Sequence, residues 1–418
     1  MTTDRFLYVF FIIFGILLIS LSFIFSNPAD ILHGSIIILT SPANLLTDYF
    51  EIANIGATLF NAGLMALFSV ALIWVCRAPA SGAFVAAVLT MTGFSFFGKN
   101  LLNSLPIIAG VWLYSLLMRT PMKELIFVAL FGTALGPLVS EIAFNLDFPV
   151  LTGLLLGCVA GLVTGLVLPP LAKYLHNFHQ GFNLYNTGFT AGIIGMFFLA
   201  VLRANGIEVL TVSIVSSGNN LPMAEVFSAV FAVMFIFGVW INGWSLKGYQ
   251  LLLKHSGQSQ TDFIKTSGLG LTLVNMAFLG LISISYVLIN SGELNGPTIG
   301  GILTVVGFGA YGKHLRNVIP ILAGVYLANL LNIYDGRSTM ALTAALFGTT
   351  LAPIAGRYGI IAGVLTGFLH MAMVVNIRDL HGGMNLYNNG FSGGFIAAVM
   401  VPLLNAFNQF RENSRPGK

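Results

Sequence analysis

The chain has 418 residues, 56% of them hydrophobic and only 8% charged, with a formal net charge of +4, whereas soluble globular proteins carry about a quarter charged residues. A water-soluble fold is therefore excluded. The basic residues are scattered through connecting segments rather than gathered in a patch, which excludes a nucleic-acid surface and gives them a topological meaning instead.

From the N-terminus onward, long apolar runs fall at 6–26, 55–76, 150–170, 187–202, 225–244, 269–290 and 388–407. Each approaches the roughly 20 residues that cross a hydrocarbon core as helix. Shorter apolar stretches lie at 83–97, 101–118, 125–144, 298–311, 315–333, 340–353 and 359–375. The ten-residue alternation of a membrane barrel is absent, so the expected fold is an all-α polytopic bundle. The first run follows Arg5 and lacks a small-residue cleavage pattern before Asn27, and it reads as a retained helix rather than a cleaved signal. Cys76 and Cys158 lie in or at the end of apolar spans and indicate neither a disulfide framework nor a metal cluster.

The chain repeats itself. At an offset of 214, the stretch 98–111 agrees with 312–325 at nine of fourteen positions, sharing Gly-Lys-x-Leu-x-Asn. Asp48, Gly56, Thr58 and Asn61 fall on Asp262, Gly270, Thr272 and Asn275. Ala-Leu-Phe-Gly-Thr at 129–133 returns at 345–349, and Asn-Leu-Tyr-Asn-x-Gly-Phe at 183–189 returns at 385–391, in the same order. The expected organisation is two transmembrane repeats, 1–207 and 208–418, with about 14 extra residues near 145–158 of the first.

Allowing each apolar stretch one crossing gives seven per copy and 12–14 membrane segments in all. With the N-terminus inside, Arg5, Arg77, Arg119, Lys123, Lys173, Lys247, Lys254, Lys265, Lys313, Arg316, Arg357, Arg411, Arg415 and Lys418 collect on the inner side; Lys99, Arg203, Arg337 and Arg378 fall outside. Fourteen against four is the bias of the positive-inside rule, and an odd unit inverts the second copy relative to the first. The stretches 83–97 and 298–311 give about 22 Å of helix against a core of about 30 Å, which predicts half-spanning, re-entrant helices meeting near the midplane.

The paired motifs carry the candidate site. Asn183, Tyr185 and Asn186, with Asn385, Tyr387 and Asn388, each precede an apolar helix; Asn186 and Asn388 stand where an N-cap would, but the second asparagine and the tyrosine exceed what a cap needs. Amides offer donor and acceptor to a neutral solute, and a helix start receives an anion. Lys99 and Lys313 are costly at membrane depth and face either a cavity or, by snorkelling, the headgroups. Asn103 and Asn317, four residues on, share their helix face. His179 and His381 read as wet loop or capping residues, Asp48 and Asp262 as helix-start charges. Glu141 falls opposite Arg357 in the repeat, which raises a salt bridge or gate. Gly153, Gly157, Gly161 and Gly165, echoed by Gly359, Gly363 and Gly367, read as a helix-packing stripe. No metal-ligand spacing, nucleotide loop or catalytic constellation is present, so neither enzyme, cofactor nor metal is expected.

Over nearly the whole chain, these two paired motifs resemble those of an uncharacterised family of tandemly duplicated bacterial and archaeal membrane proteins. Gly181–Asn186 and Gly383–Asn388 are also faintly similar to urea transporters, as is Leu130-Phe131-Gly132-Thr133; that likeness implies half-spanning helices around a central pore, although paired lysines depart from a neutral-solute conduit. The expectation is a channel or secondary transporter in a bacterial inner membrane, both termini cytoplasmic. It would pass an amide-like solute or a small carboxylate between inverted repeats, with H+ or Na+ as coupling ion and a homo-oligomer as further partners. A membrane sensor, an assembly protein or a membrane-embedded enzyme are the alternatives.

Overall fold

The structure, a computed structural model, describes residues 3–331 and 333–414; Arg415 and Lys418, two of the basic residues assigned to the inner side, lie outside them. In the first copy the helices are α1 (Thr3–Phe25), α2 (Pro28–Thr40), α3 (Tyr49–Ile52), α4 (Ile55–Val75), α5 (Gly82–Phe94), α6 (Leu101–Leu117), α7 (Met122–Gly132), α8 (Gly136–Phe144), α9 (Val150–Leu175) and α10 (Asn186–Ala204). The second copy repeats the order as α11 (Asn220–Ile241), α12 (Tyr249–Leu252), α13 (Phe263–Ser267), α14 (Leu269–Ile289), α15 (Gly296–Phe308), α16 (Leu315–Leu331), α17 (Thr339–Gly348), α18 (Ala352–Tyr358), α19 (Ile360–Ile377) and α20 (Asn388–Asn413). Short 3-10 turns, Thr133–Leu135 and Thr349–Leu351, join α7 to α8 and α17 to α18.

This is an all-α polytopic membrane protein. Among the described residues ten helices are long and apolar enough to cross a bilayer, five per copy once α7–α8 and α17–α18 are taken as single spans. Ile13, Ile16 and Ile24 of α1, Leu151, Leu155 and Val159 of α9, and Ile236 and Trp240 of α11 are exposed, as a lipid-facing surface requires. The glycine stripe packs helices. A Cβ on Gly161 would stand 2.7 Å from Pro106 of α6, and one on Gly363 2.7 Å from Pro320 of α16, so α9 and α19 approach their neighbours as only small residues allow.

Among the described residues the shorter apolar helices are α2 in the first copy alone, and α5–α6 and α15–α16, which recur. At 13 residues, α5 and α15 reach about 20 Å and do not span the core. All their residues are buried, so neither meets lipid. They pack on each other antiparallel: Gly93 lies against Gly300, and Gly307, farther along α15, lies against Ala86 and Leu89, earlier on α5.

A helix that ends inside protein must have its free N–H and C=O groups satisfied there. The other copy does this at the start. Asp48 caps α3 through Phe50 N (2.9 Å) and also accepts from Gly296 N at the head of α15 (3.1 Å), while its second oxygen accepts from Ser216 N (2.9 Å) and Oγ (2.6 Å). Asp262 caps α13 and accepts from Gly82 N at the head of α5 (3.1 Å). The helix-start reading of both aspartates is thus half their role, since each also caps the opposite copy.

At the other end the chain breaks between Phe94 and Leu101, and between Phe308 and Leu315. Asn61 of α4 donates to the carbonyls of Ser95 (2.8 Å) and Lys99 (2.9 Å); Asn275 of α14 does the same for Gly309 (2.7 Å) and Lys313 (2.8 Å). Asn103 accepts from Asn100 N (3.0 Å) and donates to Gly98 O (3.0 Å), and Asn317 likewise serves His314 N (2.9 Å) and Gly312 O (2.9 Å). Asn103 and Asn317 therefore close the break instead of extending a polar stripe from the lysines.

Asp48→Ala strands four donors in a fully buried place, and we expect it to cost about 3 kcal/mol, against about 1–2 kcal/mol for the more exposed Asp262→Ala; thermal unfolding in detergent measures both. Asn61→Leu and Asn275→Leu each orphan two buried carbonyls and should each cost about 2–4 kcal/mol in the same assay.

Candidate functional site

The two breaks throw Lys99 and Lys313 into the centre of the molecule, and both side chains are fully buried. Headgroup snorkelling is therefore not what these lysines do. Lys313 Nζ donates to the Tyr185 hydroxyl (2.5 Å) and Thr349 Oγ1 (2.7 Å) and stands 4.5 Å from the Tyr185 ring centroid and 5.4 Å from that of Phe308. Lys99 Nζ meets, among the described residues, the Met91 thioether (3.2 Å) and the face of Phe94 (5.1 Å). Among the described residues no carboxylate lies within ion-pairing distance of either lysine.

Around them is an aromatic box. The rings of Tyr185 and Tyr387 are 4.9 Å apart; Phe308 packs edge-on to Tyr185 at 4.8 Å and Phe94 to Tyr387 at 4.6 Å. Phe347 joins both sides, 5.5 Å from Phe94 and 6.5 Å from Tyr185. Beyond Phe347 a partly open pocket is lined by Phe97, Thr343, Arg378, Asn388 and Asn389.

The box explains why the two motifs recur together: the Asn-Leu-Tyr of each copy docks on the other copy. Asn183 donates to Gly390 O (2.8 Å), and Asn385 to Gly188 O (3.3 Å). Leu184 covers Gly312, and Leu386 covers Gly98; both glycines have positive φ, 113° and 152°, a backbone that side-chain-bearing residues rarely adopt. Tyr185 reaches Lys313. Gly188 and Gly390 leave room for the opposite tyrosine, since a Cβ on either would come within 2.6 and 2.9 Å of Tyr387 and Tyr185 Cβ. Backbone bonds run the same way, from Leu184 N to Thr350 O and from Leu386 N to Ala134 O, each 3.0 Å.

The asparagine amides are thereby occupied. Asn183 Oδ1 accepts from Thr350 Oγ1 (2.6 Å) and Asn385 Oδ1 from Tyr387 N (3.0 Å). Asn186 and Asn388 are not caps. The cap positions fall to Tyr185 and Tyr387, and each asparagine, one residue inside its helix, binds a histidine instead: Asn186 to His179 and Asn388 to His381, both 2.9 Å. Asn186 and Asn388 also donate to Ala172 O (2.9 Å) and Val374 O (3.3 Å). The two histidines expected in wet loops are fully buried, because their ring bonds tie the motif turn to the preceding helix. Asn388 lines the pocket together with its neighbour Asn389.

Glu141 and Arg357 do not meet. Glu141 is buried and bonded to Asn145 (2.7 Å), whereas Arg357 is exposed, so repeat equivalence here places opposite charges at separate ends rather than in a bridge. Sequence reasoning noted Asn61, Asn275 and Thr349 as repeat matches without giving them a role, and passed over Met91. A signal for the first two existed: isolated asparagines at matching points of two apolar spans are costly unless partnered.

In comparison with known proteins, no curated protein and no solved structure matches, so the likeness to urea transporters is not shown. One family does match, described as "Protein of unknown function (DUF1576)", over residues 27–204 and again over 241–406. With two matches that together cover well over half of its length, this chain belongs to that family of tandemly repeated proteins.

Proposed function

We propose that the protein is a carrier or channel for a small carboxylate, with its path crossing the junction of two oppositely oriented copies at the aromatic box. The observation that carries this reading is the pair of buried lysines without a carboxylate partner. Each follows the C-terminus of a half-helix, whose partial charge offsets only about half a unit, so much of each ammonium charge remains for a ligand. Two lysines within one low-dielectric box, each ionised at least cost when a carboxylate supplies the counter-charge, favour an anion over a neutral solute. The amide-like alternative loses its support where the motif asparagines bond to protein backbone. The tyrosine rings close the centre, so passage requires Tyr185 and Tyr387 to swing aside, which suits a gated carrier with H+ or Na+ as coupling ion.

Opposite orientation rests on parity and charge. Five long spans per copy are odd, and α5–α6, entering and leaving by one face, keep the total odd. Lys99 and Lys313 leave the loop count because they are buried, one from each side, and Arg316 leaves it because it lies in α16 beside the break, so fourteen against four becomes twelve against three, still the bias of an inner-membrane protein with cytoplasmic termini. The antiparallel α5–α15 pair fits the same two-fold in the membrane plane.

Two experiments test this reading. Single cysteines at Arg119 and Arg337, exposed residues of the equivalent α6–α7 and α16–α17 loops, should react with impermeant reagent from opposite faces of sealed vesicles; reaction from one face would defeat the inverted arrangement. In proteoliposomes we expect saturable uptake of acetate or succinate but not urea, and Lys99→Ala with Lys313→Ala should lower anion flux by at least about tenfold. Equal flux in that double variant would remove the carboxylate.

A further inference from the structure

The two halves of the box are not equivalent, and the difference lies in which donors are satisfied. In the Lys313 half everything is paired. Lys313 donates to Tyr185 and Thr349; Thr349 Oγ1 donates in turn to Leu346 O (2.5 Å), and Thr304 Oγ1 to Gly300 O (2.8 Å). In the Lys99 half the corresponding groups are Lys99, Tyr387, Thr133 and Thr90. Here the Tyr387 hydroxyl and Thr90 Oγ1 are buried facing each other and form no hydrogen bond of good geometry, and Lys99 Nζ has a thioether in place of an oxygen acceptor.

The halves differ at several positions, Ala134 against Thr350 among them, and one difference lies against the lysine itself. Met91 stands where the other copy has Val305. Its Sδ wedges between Lys99 Nζ (3.2 Å) and Thr133 Oγ1 (3.1 Å), whereas the matching Lys313 and Thr349 touch directly at 2.7 Å. Sulfur is a weak acceptor, and an unpaired buried ammonium or hydroxyl is costly. Methionine is also the side chain that most readily repacks.

We infer that the Lys99 half is the loading site for the anion, with Met91 as a displaceable plug. This rests on the carboxylate reading above. An acetate-sized monocarboxylate that displaces the thioether would accept from Lys99 Nζ, the Tyr387 hydroxyl and Thr90 Oγ1, the three donors left without a proper acceptor, and set its methyl against Phe94, which packs on both Lys99 and Tyr387. The Lys313 half is the latched side, its ammonium held by Tyr185 until that ring moves.

The test is acetate binding to the full-length protein in detergent, by calorimetry or carbon-13 line broadening, alongside acetate flux in proteoliposomes. Lys99→Gln should weaken binding by about tenfold more than Lys313→Gln does, Tyr387→Phe should weaken it about threefold or more, and Met91→Val, which copies the second repeat and preserves packing, should tighten it. Equal losses at the two lysines, or weaker binding in Met91→Val, overturn the assignment. Acetate flux without Lys99-dependent binding overturns the loading site and leaves transport standing; Lys99-dependent binding without flux does the reverse.

Discussion

A helix that stops inside a membrane protein leaves polar backbone groups where no water can reach them. In this chain α5 and α15 both stop there, and most of the polar residues in the interior are arranged around that fact. Aspartates serve the starts of the half-helices, asparagines the breaks after them. The lysines at those breaks are charged groups that the backbone does not require, which is why the functional reading settles on them.

Duplication makes the arrangement reciprocal. Asp48 serves the second copy and Asp262 the first; Leu184 and Tyr185 sit on Gly312 and Lys313, while Leu386 covers Gly98. Two segments that look unrelated within one repeat, the Gly-Lys break and the Asn-Leu-Tyr turn, are complementary surfaces across the junction. Departures from symmetry then stand out, and the substitution of Met91 for valine touches a lysine of the box directly.

Much of this was legible beforehand. Apolar runs and self-similarity sufficed for the all-α fold and the two copies, and the short stretch at 83–97 already implied a helix too short to cross. The paired lysines and tyrosines were marked by recurrence. What recurrence could not convey was the partner: a motif that keeps two asparagines looks as if it serves a ligand, yet Asn183 bonds to Gly390 and Asn186 to His179. The burial of His179 and His381 was hidden for a related reason, since polar runs beside membrane helices resemble wet loops unless their tertiary contacts are known. Asn103 and Asn317 misled through helical spacing, which placed them beneath the lysines although their amides turn back to cap.

The exchanged aspartate caps have a consequence for biogenesis. Gly82 and the carboxylate that serves it are 180 residues apart, so at a synthesis rate of about 5–20 residues per second the head of α5 waits roughly 10–40 s in the nascent chain before its acceptor exists. During that interval the first copy holds an unfinished seam, and the ribosome delivers the piece that closes it last. An isolated copy would meet the same vacancy permanently, which gives a reason for the two to remain joined in a single polypeptide.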